Sequence, residues 1–452
     1  ALNPDNSEDT NIESTNSMSI KKAIGAGGFV NLTNSGAGGI NISGNVQSDL
    51  DNGGYGGINV TNEAAGSPTT ISGTLTARGY STGDLSIDVN GPLNVTGNLY
   101  SLYYDIGITN HKAGASTVVN NAVTSAAEGT VDIRTHGNTD ISSAITAGNS
   151  FYLYNDAIPS ATTTSLAGSV LADYIDIHNN AGTGSNLNIS STLTALESFH
   201  VFSHGNLRLA AASAHQNSSV DVDGLAAFLT GPIAAASNMG YATFSYNAPN
   251  AVTRVATDAT ISAATVNLQV LNFKGVRNDG SDYTSTAQKP AFQVAAYRVN
   301  LVAYGSVNAP LTAASNPQGD WLKNSLWLKP FTPDSSVELS ISALGGGFQA
   351  INLGVVGDVF VNSGTTTTPF YATGYAQPSF FPPIPQGNVG SSLIVQSTGN
   401  LDIVAPSNEE SAPTAVVPGP LAPTQFLFPG GVAFKAGGYL AINVPVNNAW
   451  TF

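Results

Sequence analysis

The 452-residue chain sets 14 Lys plus Arg against 29 Asp plus Glu, a formal net charge of −15, and only 10% of its residues are charged. That balance repels phosphate backbones and anionic headgroups, so nucleic acid is excluded as a partner. With no Cys, neither disulfides nor thiolate-held metals can brace the fold, and no run of about eighteen apolar residues is present to cross a membrane as a helix.

Solubility must therefore come from hydroxyls and amides, and stability from stacking. The chain begins at Ala1 without a charged-then-apolar leader, which leads us to expect a mature, exported product.

In chain order, residues 1–23, with "NPDNSEDTNIEST" from Asn3, read as a disordered or extended N-terminal arm. From residue 24 to 230 one phrase recurs in altered form: "TTISGTLTA" at Thr69, "LNVTGNLYS" at Leu93, "TDISSAITA" at Thr139 and "LNISSTLTA" at Leu187. Its second apolar residue gives the column Val46, Leu75, Leu99, Val123, Ile145, Val170 and Leu193, by subtraction in steps of 29, 24, 24, 22, 25 and 23.

A second short element runs between the copies: "INV" at Ile58, "IDV" at Ile87, "IGI" at Ile106, "VDI" at Val131, "FYL" at Phe151, "IDI" at Ile175, "FHV" at Phe199 and "VDV" at Val220. Both alternate apolar with polar residues, the mark of a strand with one buried face. A unit of roughly 23 residues cannot bury that face alone, so its neighbours must. Gly and Asn suit the corners, where Asn or Thr on successive coils can hydrogen-bond along the stack.

The expected fold is all-β, a parallel β-solenoid. An antiparallel sandwich, the rival arrangement, would want two-residue Asn-Gly turns between strands, and these are nearly absent.

Over residues 231–452 the period becomes ragged. Strand-like stretches start at Thr265, Tyr297, Ser336, Ala350, Ser391 and Tyr439, separated by insertions at Lys274 to Pro290, Asn316 to Ser335, Thr365 to Gly387 and Pro406 to Gly430. The C-terminal "NAWTF" reads as a cap over the last coil.

The phrase Gly-Asn-apolar-x-apolar, in "HGNLRL" at His204, "TGNLDI" at Thr398 and more loosely "HGNTDI" at His136, together with "GGYLAINV" at Gly437, resembles the repeat of filamentous-haemagglutinin-type proteins. The resemblance covers most of residues 27 to 230 and patches beyond. It implies a right-handed parallel β-helix and an adhesin secreted to the bacterial surface by a two-partner route. Of that family's Asn-Pro-Asn secretion motifs only "NPDN" at Asn3 has a counterpart.

No GxxxxGK[ST], GxSxG or HExxH is present, and no catalytic residue or cofactor is expected. A β-helix lyase or glycosidase is the enzymatic alternative. The middle positions of the second element, Asn59, Asp88, Gly107, Asp132, Tyr152, Asp176, His200 and Asp221, place an acid on every other coil. At about 4.8 Å per coil such acids stand near the upper limit of an inverting pair.

A neighbouring column brings His111, His136 and Asp156 onto successive coils as a candidate divalent-metal site. Aromatic residues of the insertions, Trp321, Trp327, Phe331, Phe370, Tyr371, Tyr375, Phe380 and Phe381, are candidate contacts for glycans or proteins. We expect a secreted cell-surface protein that adheres to glycans or proteins of a host or neighbouring cell, or builds a filament or biofilm matrix from copies of itself through its ends or N-terminal arm. Neither nucleic acid nor membrane insertion enters this reading.

Overall fold

The computed structural model describes residues 9–246 apart from 50–54, 81–82, 127 and 225. Beyond them it describes 253–256, 259–270, 273–281, 292–296, 298–304 and the strands 326–329, 338–344, 359–362, 369–371, 392–397, 401–403, 426–427, 431–436, 440–442 and 446–447. Among these residues every regular element is a strand, and the chain is an all-β, parallel β-solenoid. The backbone divides into two compact units, Ala1–Ala214 and His215–Phe452.

In the first unit a coil contributes three strands, which run together into longer ones at Val170–Asn179 and Asn186–Ser203. One coil is Leu85–Val89, Leu93–Val95 and Leu99–Ser101; the next is Ile106–Asn110, Thr117–Val119 and Val123–Ser125. Each strand pairs in parallel with its counterpart one coil away. The column Val46, Leu75, Leu99, Val123, Ile145, Val170, Leu193 is paired residue by residue in that order.

All seven are at most 1% exposed. Burying such a side chain is worth about 1.5–3 kcal/mol, and because each one touches its equivalents above and below, stability accumulates coil by coil.

Alternation follows from strand geometry, in which successive side chains leave opposite faces. In Leu85–Val89 the residues Leu85, Ile87 and Val89 are fully buried while Ser86 and Asp88 face outward.

Where the long strand ends, the interior becomes polar. Asn34, Asn62, Asn110, Thr135, Asn155, Asn179 and Ser203 are buried at this corner. Asn62 Nδ2 donates to Thr69 Oγ1 (2.9 Å) and Asn110 Nδ2 to Thr117 Oγ1 (3.0 Å). At both positions a buried amide and a buried hydroxyl pair with each other inside the corner.

The Gly-Asn phrase has its own local cause. A Cβ on Gly97 would strike the carbonyl oxygen of Gly73 on the adjacent coil, so only glycine allows that approach. The following Asn bridges coils: Asn45 Oδ1 accepts from the Thr74 N–H (3.0 Å) and Asn138 Oδ1 from the Thr163 N–H (2.9 Å).

Two expectations change. Residues 10–20, read as part of an arm, are the strands Thr10–Ser14 and Ser17–Ile20, paired with Val30–Asn34 and Gly39–Ile42. Met18 and Ile20 are buried there, giving the segment an apolar face to seat.

The coil register also shifts: Leu85, not Ile87, pairs with Ile58, and Ile87 pairs with Val60. "LSIDV" offers three apolar residues, and the chain uses all three.

In the second unit, Asn217, Tyr241, Thr265, Arg298 and Glu338 occupy equivalent positions on successive long strands, by subtraction 24, 24, 33 and 40 residues apart. Leu339 then pairs with Leu393, a step of 54. The period thus grows through insertion while the stacking of long strands persists. Val220, Phe244, Tyr246, Val266 and Leu268 fill its interior. The "NAWTF" segment lies outside the described residues.

Candidate functional site

Four long strands of the first unit, Val131–Thr135, Ser150–Asn155, Val170–Asn179 and Asn186–Ser203, lie side by side. Their inward residues are apolar or belong to the polar corner. Their outward residues form two columns in register. One runs Asp132, Tyr152, Asp176, His200; the other, two residues further along each strand, runs Arg134, Tyr154, His178, Phe202. Parallel stacking sets neighbours in a column about 4.8 Å apart.

Asp176 is the hub. Its Oδ2 accepts from Tyr154 Oη at 2.6 Å, while Oδ1 faces His178 Nε2 at 2.8 Å and His200 Nδ1 at 3.1 Å. Burial pushes this carboxyl up, but the hydrogen bonds from His178, His200 and Tyr154 outweigh it and hold it well below the usual carboxylate range. Burial, then the bond to Asp176, pushes the Tyr154 phenol above its ordinary value.

The rings pack along the columns. Tyr152 and Tyr154 stack with centroids 6.1 Å apart, and His178 lies 5.1 Å from Tyr154, 5.0 Å from His200 and 5.6 Å from Phe202. Arg134 sits over the Tyr154 ring at 5.5 Å, its charge met by Asp132 at 3.0 Å. The patch is a rigid, half-exposed surface with ionised groups set among aromatic faces.

The acidic ladder read from the sequence is reduced by the register. Asp88 lies beside Thr61 and Thr109, two residues along from the column that holds Ser86, Gly107 and Asp132. Asp132 and Asp176 do share a column, with Tyr152 between them. A general acid in glycoside cleavage needs a raised carboxyl, and Asp176 is held the other way.

His111, His136 and Asp156 occupy equivalent places one residue past successive long strands, but their donors part company. His111 Nε2 meets Asp88 Oδ1 at 2.9 Å, His136 Nδ1 meets the Asn110 carbonyl at 3.0 Å, and Asp156 Oδ1 accepts from Asn180 Nδ2 at 2.7 Å. Among the described residues the metal-capable donors that converge are those of Asp176, His178 and His200, all within 4.8 Å of one another.

Of the aromatic candidates, Trp321, Phe331, Tyr375, Phe380 and Phe381 lie outside the described residues. Trp327, read as part of an insertion, belongs instead to the strand Leu326–Lys329, which pairs in parallel with Phe292–Ala295 and Val359–Asn362. Its alternating "LWLK" is itself a strand pattern. Phe370 and Tyr371 lie on Pro369–Tyr371, antiparallel to Val359–Asn362.

Sequence reasoning singled out Tyr152, Asp176 and His200 but missed Tyr154, His178 and Phe202. The usable signal was Asp-x-His at 176–178: two residues apart on a strand means one face. No family model, curated protein or solved structure matches this chain.

Proposed function

We propose that this chain is a secreted, cell-surface structural and adhesive β-solenoid, and that the paired columns Asp132–His200 and Arg134–Phe202 are its ligand contact. One observation carries the reading: aromatic rings and ionised groups repeat in register across four adjacent coils of a rigid sheet. Such a surface complements an extended glycan, whose rings stack on Tyr152 and Phe202 while its hydroxyls bond to Asp132 and Arg134. A rigid strand face loses little entropy on binding, which favours even a shallow contact. The low charge density and the haemagglutinin-like repeat support a place outside the cell.

The test is binding to an immobilised glycan panel by the wild type and by a Tyr152→Ala/Phe202→Ala double variant. Loss of a wild-type signal in a variant that keeps its β spectrum supports the reading. A panel that retains neither protein, or both equally, overturns it.

A filament subunit is the second reading, favoured by a different observation. Among the described residues, Thr10–Ser14, Ser17–Ile20 and Ile24–Gly25 each pair with a strand on one side only, and an edge of this kind can accept a strand, from the same polypeptide or from another copy. Electron microscopy over a concentration series separates the two, since a subunit forms fibres that lengthen with concentration.

A further inference from the structure

We propose that Asp176, His178 and His200 bind a divalent transition-metal ion of the zinc class. This inference is independent of the adhesive reading, because it requires no glycan and no second copy of the chain.

Two periodicities assemble the donors. Asp176 and His178 are two residues apart on one strand and leave the same face, while His200 arrives from the next coil directly in register with Asp176. All three converge on one point, since Asp176 Oδ1 lies 2.8 Å from His178 Nε2 and 3.1 Å from His200 Nδ1.

Zinc bonds to imidazole nitrogen and carboxylate oxygen are about 2.0–2.1 Å long, so tetrahedral ligands stand about 3.3 Å apart. To reach that value the two Oδ1 distances, 2.8 and 3.1 Å, open by about 0.5 and 0.2 Å, and the two nitrogens, within 4.8 Å of each other, adopt the same spacing. The ion then takes the place of the hydrogens between Oδ1 and the two nitrogens. Each neutral imidazole carries one N–H, and that proton relocates from Nε2 to Nδ1 in His178 and from Nδ1 to Nε2 in His200, so the ion meets a lone pair on each ring.

The donor set selects the class of ion. Two imidazoles and one carboxylate suit zinc, copper or nickel, whereas calcium and magnesium want oxygen ligands throughout. Tyr154 is a positioning residue: its hydroxyl occupies Oδ2 at 2.6 Å and leaves Oδ1 to the ion, as hydrogen-bonded partners of metal carboxylates do. Arg134, the nearby cation, is matched by Asp132. With all three side chains half-buried at the surface, a fourth position remains for water or for a donor atom of a ligand.

The experiment is calorimetric titration of the untagged, metal-stripped full chain with Zn²⁺, repeated with Co²⁺ while recording visible absorption. One ion per chain is expected, with the visible bands of nitrogen-ligated, low-coordinate cobalt. His178→Ala and His200→Ala should each weaken binding by at least about a hundredfold, and Tyr154→Phe by about ten- to a hundredfold. His111→Ala and His136→Ala should leave it unchanged.

His178→Phe keeps a ring against Tyr154 and Phe202 and serves where the alanine variant does not fold. Absence of saturable binding by the wild type, or a full site retained in His178→Phe, overturns the assignment.

Discussion

Replacing Asn155 with Ala tests whether the polar corner holds the coils together. Asn155 is fully buried, and its Nδ2 group shares two hydrogens among Gly137 O (2.8 Å), Thr164 Oγ1 (2.8 Å) and Thr162 Oγ1 (3.2 Å). Alanine removes these donors and leaves the Gly137 carbonyl with only the longer bond from Thr139 Oγ1 (3.4 Å). The two Nδ2 hydrogens make bonds worth about 0.5–1.5 kcal/mol each, so the expected destabilisation is about 1–3 kcal/mol.

The control is Tyr154→Phe, one residue away on the outward face, which loses only the bond to Asp176 and should cost about 1 kcal/mol or less. Because a solenoid couples nearest neighbours, the damage should be local. Native-state hydrogen exchange should show faster amides in the strands around 135, 155 and 179 while those around 32 and 60 keep their protection. Equal cost for Asn155→Ala and Tyr154→Phe, or uniform loss of protection along the chain, would refute the argument.

Two further outcomes follow from the packing of the coils and the surroundings of Asp176. Gly97→Ala should destabilise by about 1–3 kcal/mol through its collision with Gly73, whereas Gly107→Ala, with open space at its Cβ, should be neutral or stabilising by up to about 1 kcal/mol; urea midpoints of the two variants check the contrast. The carboxyl of Asp176 is held low when folded and titrates near about 3.9 when unfolded, so its contribution is present above about pH 4 and is lost as pH falls toward the folded value. The stability gap between wild type and Asp176→Asn should therefore shrink between pH 5 and 3, and a gap that widens would contradict the sign.

The fold was legible because two periods coincide. Alternation marks each strand, and the recurrence of Val46, Leu75, Leu99 and their successors sets the coil, so the pairing of that column follows from residue identity alone. Register was less legible where a strand has apolar residues to spare. In "LSIDV" Leu85, Ile87 and Val89 are all apolar and all buried, so alternation alone does not say which of them pairs with Ile58. Misplacing that coil by two residues put Asp88 into a column it does not share.

The site illustrates the same limit at the level of side chains. Counting coils did bring His111, His136 and Asp156 to equivalent backbone positions, but at a corner each side chain finds its own partner: a carboxylate for His111, a carbonyl for His136, an amide for Asp156. On the sheet face the pleat instead forces parallel directions, so Asp176, His178 and His200 have no separate paths to take. In this chain, then, the donors that converge stand at strand interiors, where the pleat fixes a common direction, while the equally spaced donors at the corner turn to separate partners.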